Sequence, residues 1–302
     1  AKVKFSKDWK EDASRRDFTI NSIYSDRDGN LFDPYNGKSD LEDGLIRFIG
    51  NTDKRVKEDY LRILRYLRFF INYSKQKHDL KIIRTLKINI GGISKLSKER
   101  LLDELKKTIN LESLEKISKD KISLDLFKII FPELKNVGIF SKLTSNKKDL
   151  LKKIDFILLL SLMIIDQTDN VDYFLYKYNL SNKDQNRIKT LRDFYKEKIN
   201  KKTFSEINMN KVFYYQGKQA VNDILHYGII KSLKPDEDLI ELIGFYRDKI
   251  TPQMPLGANT LMTKYKIPEG RELGSKLKMI EKVWVENNFK ITDQDVNKII
   301  YN

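Results

Sequence analysis

The sequence predicts a predominantly helical α+β fold, with a small β-containing edge in the first fifty residues and a long all-α array after it. Three observations predict this. Residues 18–24 (Phe18-Thr19-Ile20-Asn21-Ser22-Ile23-Tyr24) are rich in β-branched and aromatic side chains. From about Asp53 onward the apolar residues recur at helical rather than alternating spacing. Pro132, Pro235, Pro252, Pro255 and Pro268 fall between the helical segments, where proline ends a helix without breaking one.

The elements follow in order. The 18–24 strand reaches the turn Asp26-Arg27-Asp28-Gly29-Asn30 and returns through Leu31-Phe32-Asp33, which makes a β-hairpin. Asp33-Pro34-Tyr35-Asn36-Gly37 is a second turn, Asp40-Leu41 begins a short helix, and Ile46–Ile49 is a short strand. Thr52 or Asp53 caps a helix expected to run through Tyr73, and Ser97-Lys98-Glu99-Arg100 opens another, with Glu99 favouring the positive end of the helix dipole. Further helices are expected near 113–119, 124–130, 149–165, 170–178, 182–199, 218–232, 236–249 and 271–287. No repeat of fixed period is present.

Composition bounds the function. The chain has 302 residues and a formal net charge of +15, which favours a polyanionic partner, nucleic acid or an acidic membrane face, unless lysine-rich usage alone explains it. There is no cysteine, so disulfides and zinc–thiolate sites are excluded, which fits a reducing, cytoplasmic setting. His78 and His226 are too few for a histidine-rich metal site. The longest apolar run, Phe156–Ile165, falls far short of the roughly 20 residues that cross a bilayer, so it reads as a core helix and no membrane partner is expected.

Charge is concentrated at Glu58-Asp59-Tyr60-Leu61-Arg62-Ile63-Leu64-Arg65-Tyr66-Leu67-Arg68. On one helix, Asp59, Arg62, Arg65 and Arg68 share a slowly drifting stripe while Leu61, Ile63, Leu64 and Leu67 supply the buried face. Asp59 and Arg62 set an acceptor beside a forked donor. Adenine and cytosine both show an amino donor beside a ring-nitrogen acceptor on the pairing edge, whereas guanine and uracil show a carbonyl beside an N–H. One Asp/Arg pair therefore accepts A and C and rejects G and U, because each unpaired buried group costs about 1–3 kcal/mol. Glu58, four residues before Arg62, is placed to hold the guanidinium still. Arg65 and Arg68 have no acid four residues before or after them and extend the stripe as a cationic wall. The alternative reading is an amphipathic helix with ordinary ion pairs.

Arg15-Arg16-Asp17-Phe18-Thr19-Ile20-Asn21 is a second candidate. As a strand it sets Asp17, Thr19 and Asn21 on one face and Arg16, Phe18 and Ile20 on the other. The residue types suit a nucleotide, with arginine on phosphate and aspartate on a ribose hydroxyl. They equally suit a strand entry whose arginines pair with Glu11 and Asp12.

Together these segments, with Asp33, Gly37, Asp40-Leu41, Ile46-Arg47 and the lead-in Phe5-Ser6-Lys7-Asp8-Trp9-Lys10-Glu11-Asp12, resemble the class II tRNA nucleotidyltransferase/poly(A) polymerase family, to which the CCA-adding enzymes belong. Ser97-x-Glu99-Arg100 with Glu104 resembles its neck-helix motif, and Pro255-Leu256-Gly257, Pro268-x-Gly270, Leu273-Gly274 and Leu277 resemble the tail of bacterial members. The resemblance implies the C-terminal edge of a nucleotidyltransferase β-head (1–50), nucleotide-reading neck helices (51–112), a helical body (113–205) and a tRNA-docking tail (206–302). It implies CMP and AMP transfer from CTP and ATP to a tRNA 3′-hydroxyl, or poly(A) or partial-CCA synthesis. In nucleotide binding it gives Arg16 to the triphosphate, Asp17 to the ribose, Asn21 to the same pocket, and Asp59 and Arg62 to the base. Arg65 and Arg68 line the wall, with Glu58, Arg15, Glu99 and Arg100 in support.

The resemblance also implies Mg²⁺ held by an Asp-x-Asp pair on a strand upstream, after a glycine-rich turn. The chain contains neither; Asp26-Arg27-Asp28 reads as a solvent-exposed turn, so no metal ligand or catalytic residue is assigned and the chain alone is expected to be an inactive fragment. The competing class is a non-catalytic helical RNA-binding module. In the helical remainder, Tyr173, Phe174, Tyr176, Tyr178, Phe213, Tyr214, Tyr215 and Trp284 read as packing aromatics more than as RNA contacts.

Overall fold

The computed structural model describes residues 8–152, 154–197, 199, 202–232 and 237–301. Phe5-Ser6-Lys7 of the lead-in, and Pro235, lie outside the described residues. The chain divides into two compact units, residues 1–185 and 186–302.

The first unit opens with helix α1 (Trp9–Arg15), whose first turn is capped by Asp8 accepting from Lys10 N–H at 2.8 Å. The expected 18–24 strand does not form. Phe18 makes only an isolated antiparallel bridge to Phe48, and Thr19–Asn21 is a single 3₁₀ turn. Local polar chemistry is the reason. Thr19 Oγ1 donates to Asp40 at 2.5 Å, and Asn21 folds its side chain back to accept from Phe18 N–H and donate to Asp17, offering the backbone an alternative to a ladder. The Ile46–Ile49 strand is likewise reduced to that bridge, flanked by Ile49 N–H to Asp17 O and Thr19 N–H to Arg47 O.

The hairpin is present but short: β1 (Tyr24–Ser25) pairs antiparallel with β2 (Leu31–Phe32), Tyr24 opposite Phe32. Asp26 builds its turn, accepting from Asp28 N–H and Asn30 N–H at 2.9 and 2.8 Å. Helix α2 (Gly37–Asp43) starts earlier than Asp40, at a glycine whose hydrogen lies against the chain: a Cβ there would sit 2.1 Å from the Thr19 carbonyl oxygen.

The expected 52–73 helix is two, α3 (Thr52–Glu58), capped by Asn51, and α4 (Leu61–Tyr73). Asp59 lies in the break with extended backbone and accepts from Leu61 N–H at 3.1 Å, so it starts the second helix instead of continuing the first. Tyr60 packs flat over Gly92, where a Cβ would lie 2.1 Å from its ring. Helix α5 (Leu80–Asn89), a 3₁₀ segment (90–95) and α6 (Lys98–Thr108) follow, the last capped by Ser97 as expected.

The remaining helices are α7 (Leu111–Lys119), α8 (Lys121–Ile130), α9 (Ser145–Leu151), α10 (Phe156–Ile164), α11 (Asn170–Lys177) and α12 (Asn182–Lys196), which runs across the boundary at 185. The single 149–165 helix is thus divided, because Asp155 caps a new start by accepting from Leu158 N–H at 3.1 Å. The core beneath α4 is aromatic: Phe18 is fully buried, 4.5 Å from Phe48 and 5.2 Å from Phe69 between ring centroids, with Tyr66 stacked on Phe48.

The second unit is built on α13 (Glu206–Lys231) and α14 (Glu237–Asp248). The expected 218–232 helix is the later half of α13, which turns at Gly217 (φ 83°, a conformation that favours glycine). Asp223 on α13 is buried and takes a forked ion pair from Arg187. Helices α15 (Ala258–Tyr265), α16 (Arg271–Glu286) and α17 (Asp293–Tyr301) enclose a small core of Leu261, Ile267, Leu273, Ile280 and Val296, and Trp284 is buried as expected. Among the described residues no helix is long and apolar enough to cross a membrane.

Candidate nucleotide-reading site

The backbone bonds that tie residues 17–19 to 47–49 turn Asp17 toward α4. There the Arg65 guanidinium grips it with two prongs, Nε on one carboxylate oxygen and Nη2 on the other, the latter at 3.1 Å, and Asn21 Nδ2 adds a bond at 2.5 Å. Asp17 is only 5% exposed. Burial alone pushes its pKa up, but the Arg65 pair and the Asn21 bond outweigh it and hold the carboxyl below the ordinary aspartate value. The same pairing outweighs burial at Arg65 and raises its pKa.

Arg68 is tied as firmly. Its Nε donates at 2.5 Å to Glu104 of α6, a carboxylate only 2% exposed, and its guanidinium lies 4.5 Å from the centre of the Phe69 ring. The expectation that Arg65 and Arg68 form an unpartnered cationic wall is therefore corrected. Each has a buried acid, supplied from outside its own helix and 48 or 36 residues away in sequence.

Glu58 holds Arg62 as expected, at 2.6 Å, and the same oxygen takes Arg55 Nη1 at 2.7 Å. Arg62 Nη1 also donates to the Arg55 carbonyl at 2.8 Å, and Nη2 to that of Arg15 at 3.4 Å. Arg62 is 14% exposed and fixed on three sides; its Nε–H and one Nη2–H have no partner among the described residues. Arg55 was missed from sequence, although its spacing to Glu58 (i, i+3) was a usable signal. Its Nη2 donates to the Arg16 carbonyl, and burial together with neighbouring Arg62 lowers its pKa.

Asp59 and Arg62 are not on one helical stripe, which is a second correction. Asp59 sits in the junction before α4, with one oxygen on Leu61 N–H and the other accepting from Arg100 Nη2 at 2.7 Å. The two stay adjacent through the backbone, Arg62 N–H to Asp59 O at 3.1 Å. Glu99, beside Arg100, accepts from Asn179 at 3.1 Å. Arg15 and Arg16, at the end of α1 and just after it, pair with Glu11 and Asp12 of that helix, the second of the two readings above, with the Arg16 distance 2.9 Å. Tyr24 also donates to Asp12 at 2.7 Å, and this bond with Arg16 lowers the Asp12 pKa.

The residues present do not fit the Mg²⁺ that the resemblance implies. Asp17 is committed to Arg65, Asp59 to Arg100 and a helix start, and Asp26 to its own turn. Among the described residues no three His, Asp or Glu side chains converge to hold a metal ion.

A family model described as the poly A polymerase head domain matches residues 1–47. The mitochondrial CCA tRNA nucleotidyltransferase 1 of Mus musculus is 35% identical over 51% of this chain and 47% of that protein. The CCA-adding enzyme of Staphylococcus saprophyticus is 31% identical over 74% of this chain and 54% of that protein. The chain thus spans about half the length of the curated relatives it matches. In fold it resembles the Bacillus stearothermophilus CCA-adding enzyme solved with CTP (TM-score 0.67, 17% identity, 99% of this chain and 75% of that one). It also resembles the Thermotoga maritima CCA-adding enzyme solved with tRNA (TM-score 0.58, 18% identity, 97% and 73%). The fold is thus that of the CCA-adding enzymes, mostly helical after a short N-terminal segment that matches the poly A polymerase head-domain model. In sequence the chain is similar to CCA-adding tRNA nucleotidyltransferases over about half their length, and its first 47 residues match the poly A polymerase head-domain model.

Proposed function

We propose that the chain carries the nucleotide-selecting and RNA-binding parts of a tRNA 3′-terminal CCA nucleotidyltransferase, acting on tRNA with CTP and ATP in the cytoplasm. On this reading residues 1–50 end the head, 51–112 read the nucleotide, 113–205 form the body and 206–302 dock tRNA. The observation that carries it is the fixed Arg62 guanidinium, clamped by Glu58 and two backbone carbonyls, beside Asp59 at the start of α4. A template must hold still to discriminate, and Arg62 is held by groups that leave two of its N–H bonds for a ligand. Asp59 keeps lone-pair capacity beyond Arg100 and Leu61 N–H and accepts the exocyclic amine shared by A and C. A guanine or uracil carbonyl there faces a carboxylate, at a cost of about 1–3 kcal/mol.

The remaining residues support this pair. Arg65 and Asn21 hold Asp17 toward the ribose, and Arg16, whose carboxylate partner among the described residues is half-exposed Asp12, exchanges that contact for phosphate oxygens. Arg68 stiffens the helix through Glu104. No step is assigned to a metal, whose fit these residues do not provide. In the test, nucleotide incorporation into tRNA lacking its 3′ end is compared between this chain and a version joined to the family's Asp-x-Asp head segment. The joined version is expected to add C and then A, and this chain alone to add nothing. Addition of A alone in long runs would shift the reading to a poly(A) polymerase, and failure of the joined version to use tRNA would overturn it.

A further inference from the structure

Two of the four aromatic residues of α11 and the position after it are core: Phe174 and Tyr178 are fully buried, their rings 4.6 Å apart. Two are not. Tyr173 and Tyr176, three residues apart and so on neighbouring positions of one helix face, are 56% and 82% exposed. An isolated exposed tyrosine is ordinary. This pair has two further features.

Lys98 lies with its ammonium 5.4 Å from the centre of the Tyr176 ring, a cation held against an exposed π-face. Lys98 also belongs to the first turn of α6, the turn that carries Glu99 and Arg100. Arg100 reaches Asp59 of the nucleotide-reading pair at 2.7 Å, while Glu99 binds Asn179, three residues beyond Tyr176, at 3.1 Å. One helical turn therefore joins the reading pair to the tyrosine ledge. A flat aromatic face with an adjacent cation is the arrangement that takes an unpaired base by stacking while the cation meets its phosphate. A protein partner would be served by a wider apolar patch, and lysine is depleted from the centre of such interfaces.

We infer that Tyr176, with Lys98 beside it and Tyr173 as the next step, is a stacking platform for an unpaired nucleotide of the single-stranded 3′ end of the RNA. The inference rests on the function proposed above and adds the site that steadies the acceptor strand while the reading pair selects the incoming base.

The test is direct binding of a fluorescently labelled hairpin RNA with a short single-stranded 3′ extension, against the same hairpin blunt-ended. A second probe carries 2-aminopurine in the extension, whose emission falls when the base stacks. Tyr176→Ala is expected to weaken the extended hairpin about tenfold or more and to leave the 2-aminopurine bright. Tyr176→Phe keeps affinity and quenching, and neither substitution changes the blunt hairpin. Equal binding of the extended hairpin by wild type and Tyr176→Ala overturns the platform while leaving the proposed function standing. So does equal weakening of both hairpins, which marks a general surface effect. If the wild-type chain binds neither hairpin, the RNA-processing reading falls and the platform falls with it.

Discussion

Arg65 reaches across 48 residues of sequence to close both nitrogens of its guanidinium fork on Asp17. The pair joins the segment after α1 to α4, and Asn21 completes the carboxylate's shell. Its consequence is testable by pH. The folded pKa of Asp17 is below its unfolded value, so the native state binds fewer protons there. The stabilisation is complete above the ordinary aspartate pKa of about 3.9 and is lost as pH falls through the lower, folded value. Asp17→Asn is expected to destabilise the protein by about 2 kcal/mol at neutral pH, less than for a fully buried pair because Arg65 is partly exposed. Urea denaturation should show that gap at pH 7 and its disappearance at the acid end. A gap that persists in acid would remove the ionised pair as its cause.

Selectivity should follow Asp59 and Arg62. In a head-containing enzyme, Asp59→Ala is expected to admit GTP and UTP at about tenfold or more their wild-type relative efficiency, since one mismatched group costs about 1–3 kcal/mol. Arg100→Ala frees the Asp59 oxygen it now holds and should loosen selectivity less. Incorporation ratios for the four nucleotides decide this. Unchanged ratios in Asp59→Ala would remove the protein-template idea.

Gly92 tests the junction between α3 and α4. A methyl group there would lie 2.1 Å from the Tyr60 ring, so Gly92→Ala should destabilise by about 1–3 kcal/mol through overpacking. Tyr60→Ala removes the clash, so the double variant should be more stable than the sum of the single effects. Strict additivity by thermal denaturation would show that the close approach is unimportant.

RNA affinity should fall steeply with salt. With a net charge of +15 and phosphate contact as the source of most binding, tRNA affinity is expected to drop at least tenfold from 50 to 200 mM salt in a filter-binding titration. A flat response would argue against docking through phosphates.

Particular residues show how far the sequence was legible. Glu58 and Arg62 do pair, but not through one helix: α3 ends at Glu58 and α4 begins at Leu61, so the contact is made across the break at Asp59. Ser97 as a cap, the Asp26 turn and burial of the Phe156–Ile164 helix were read correctly on local grounds. The 18–24 strand failed because β propensity did not weigh the side chains of Thr19 and Asn21, which bond locally and to Asp40. Asp59 was put on the helix because periodicity alone does not reveal that its carboxylate starts a new one.

By itself the sequence determined that the chain is mostly helical, with a turn at Asp26 and a helix start at Ser97, because these depend on neighbours within a turn or two. The tertiary structure alone decided which acid each arginine meets: Asp17 for Arg65, Glu104 for Arg68 and Asp59 for Arg100, at separations of 48, 36 and 41 residues. It also decided that Tyr178 goes inside while Tyr176 stays out. The physical reason is common to both. Helical spacing places a side chain on a face, but only packing of α4 against residues 17–18 and α6, and of α11 against α10, sets what that face meets.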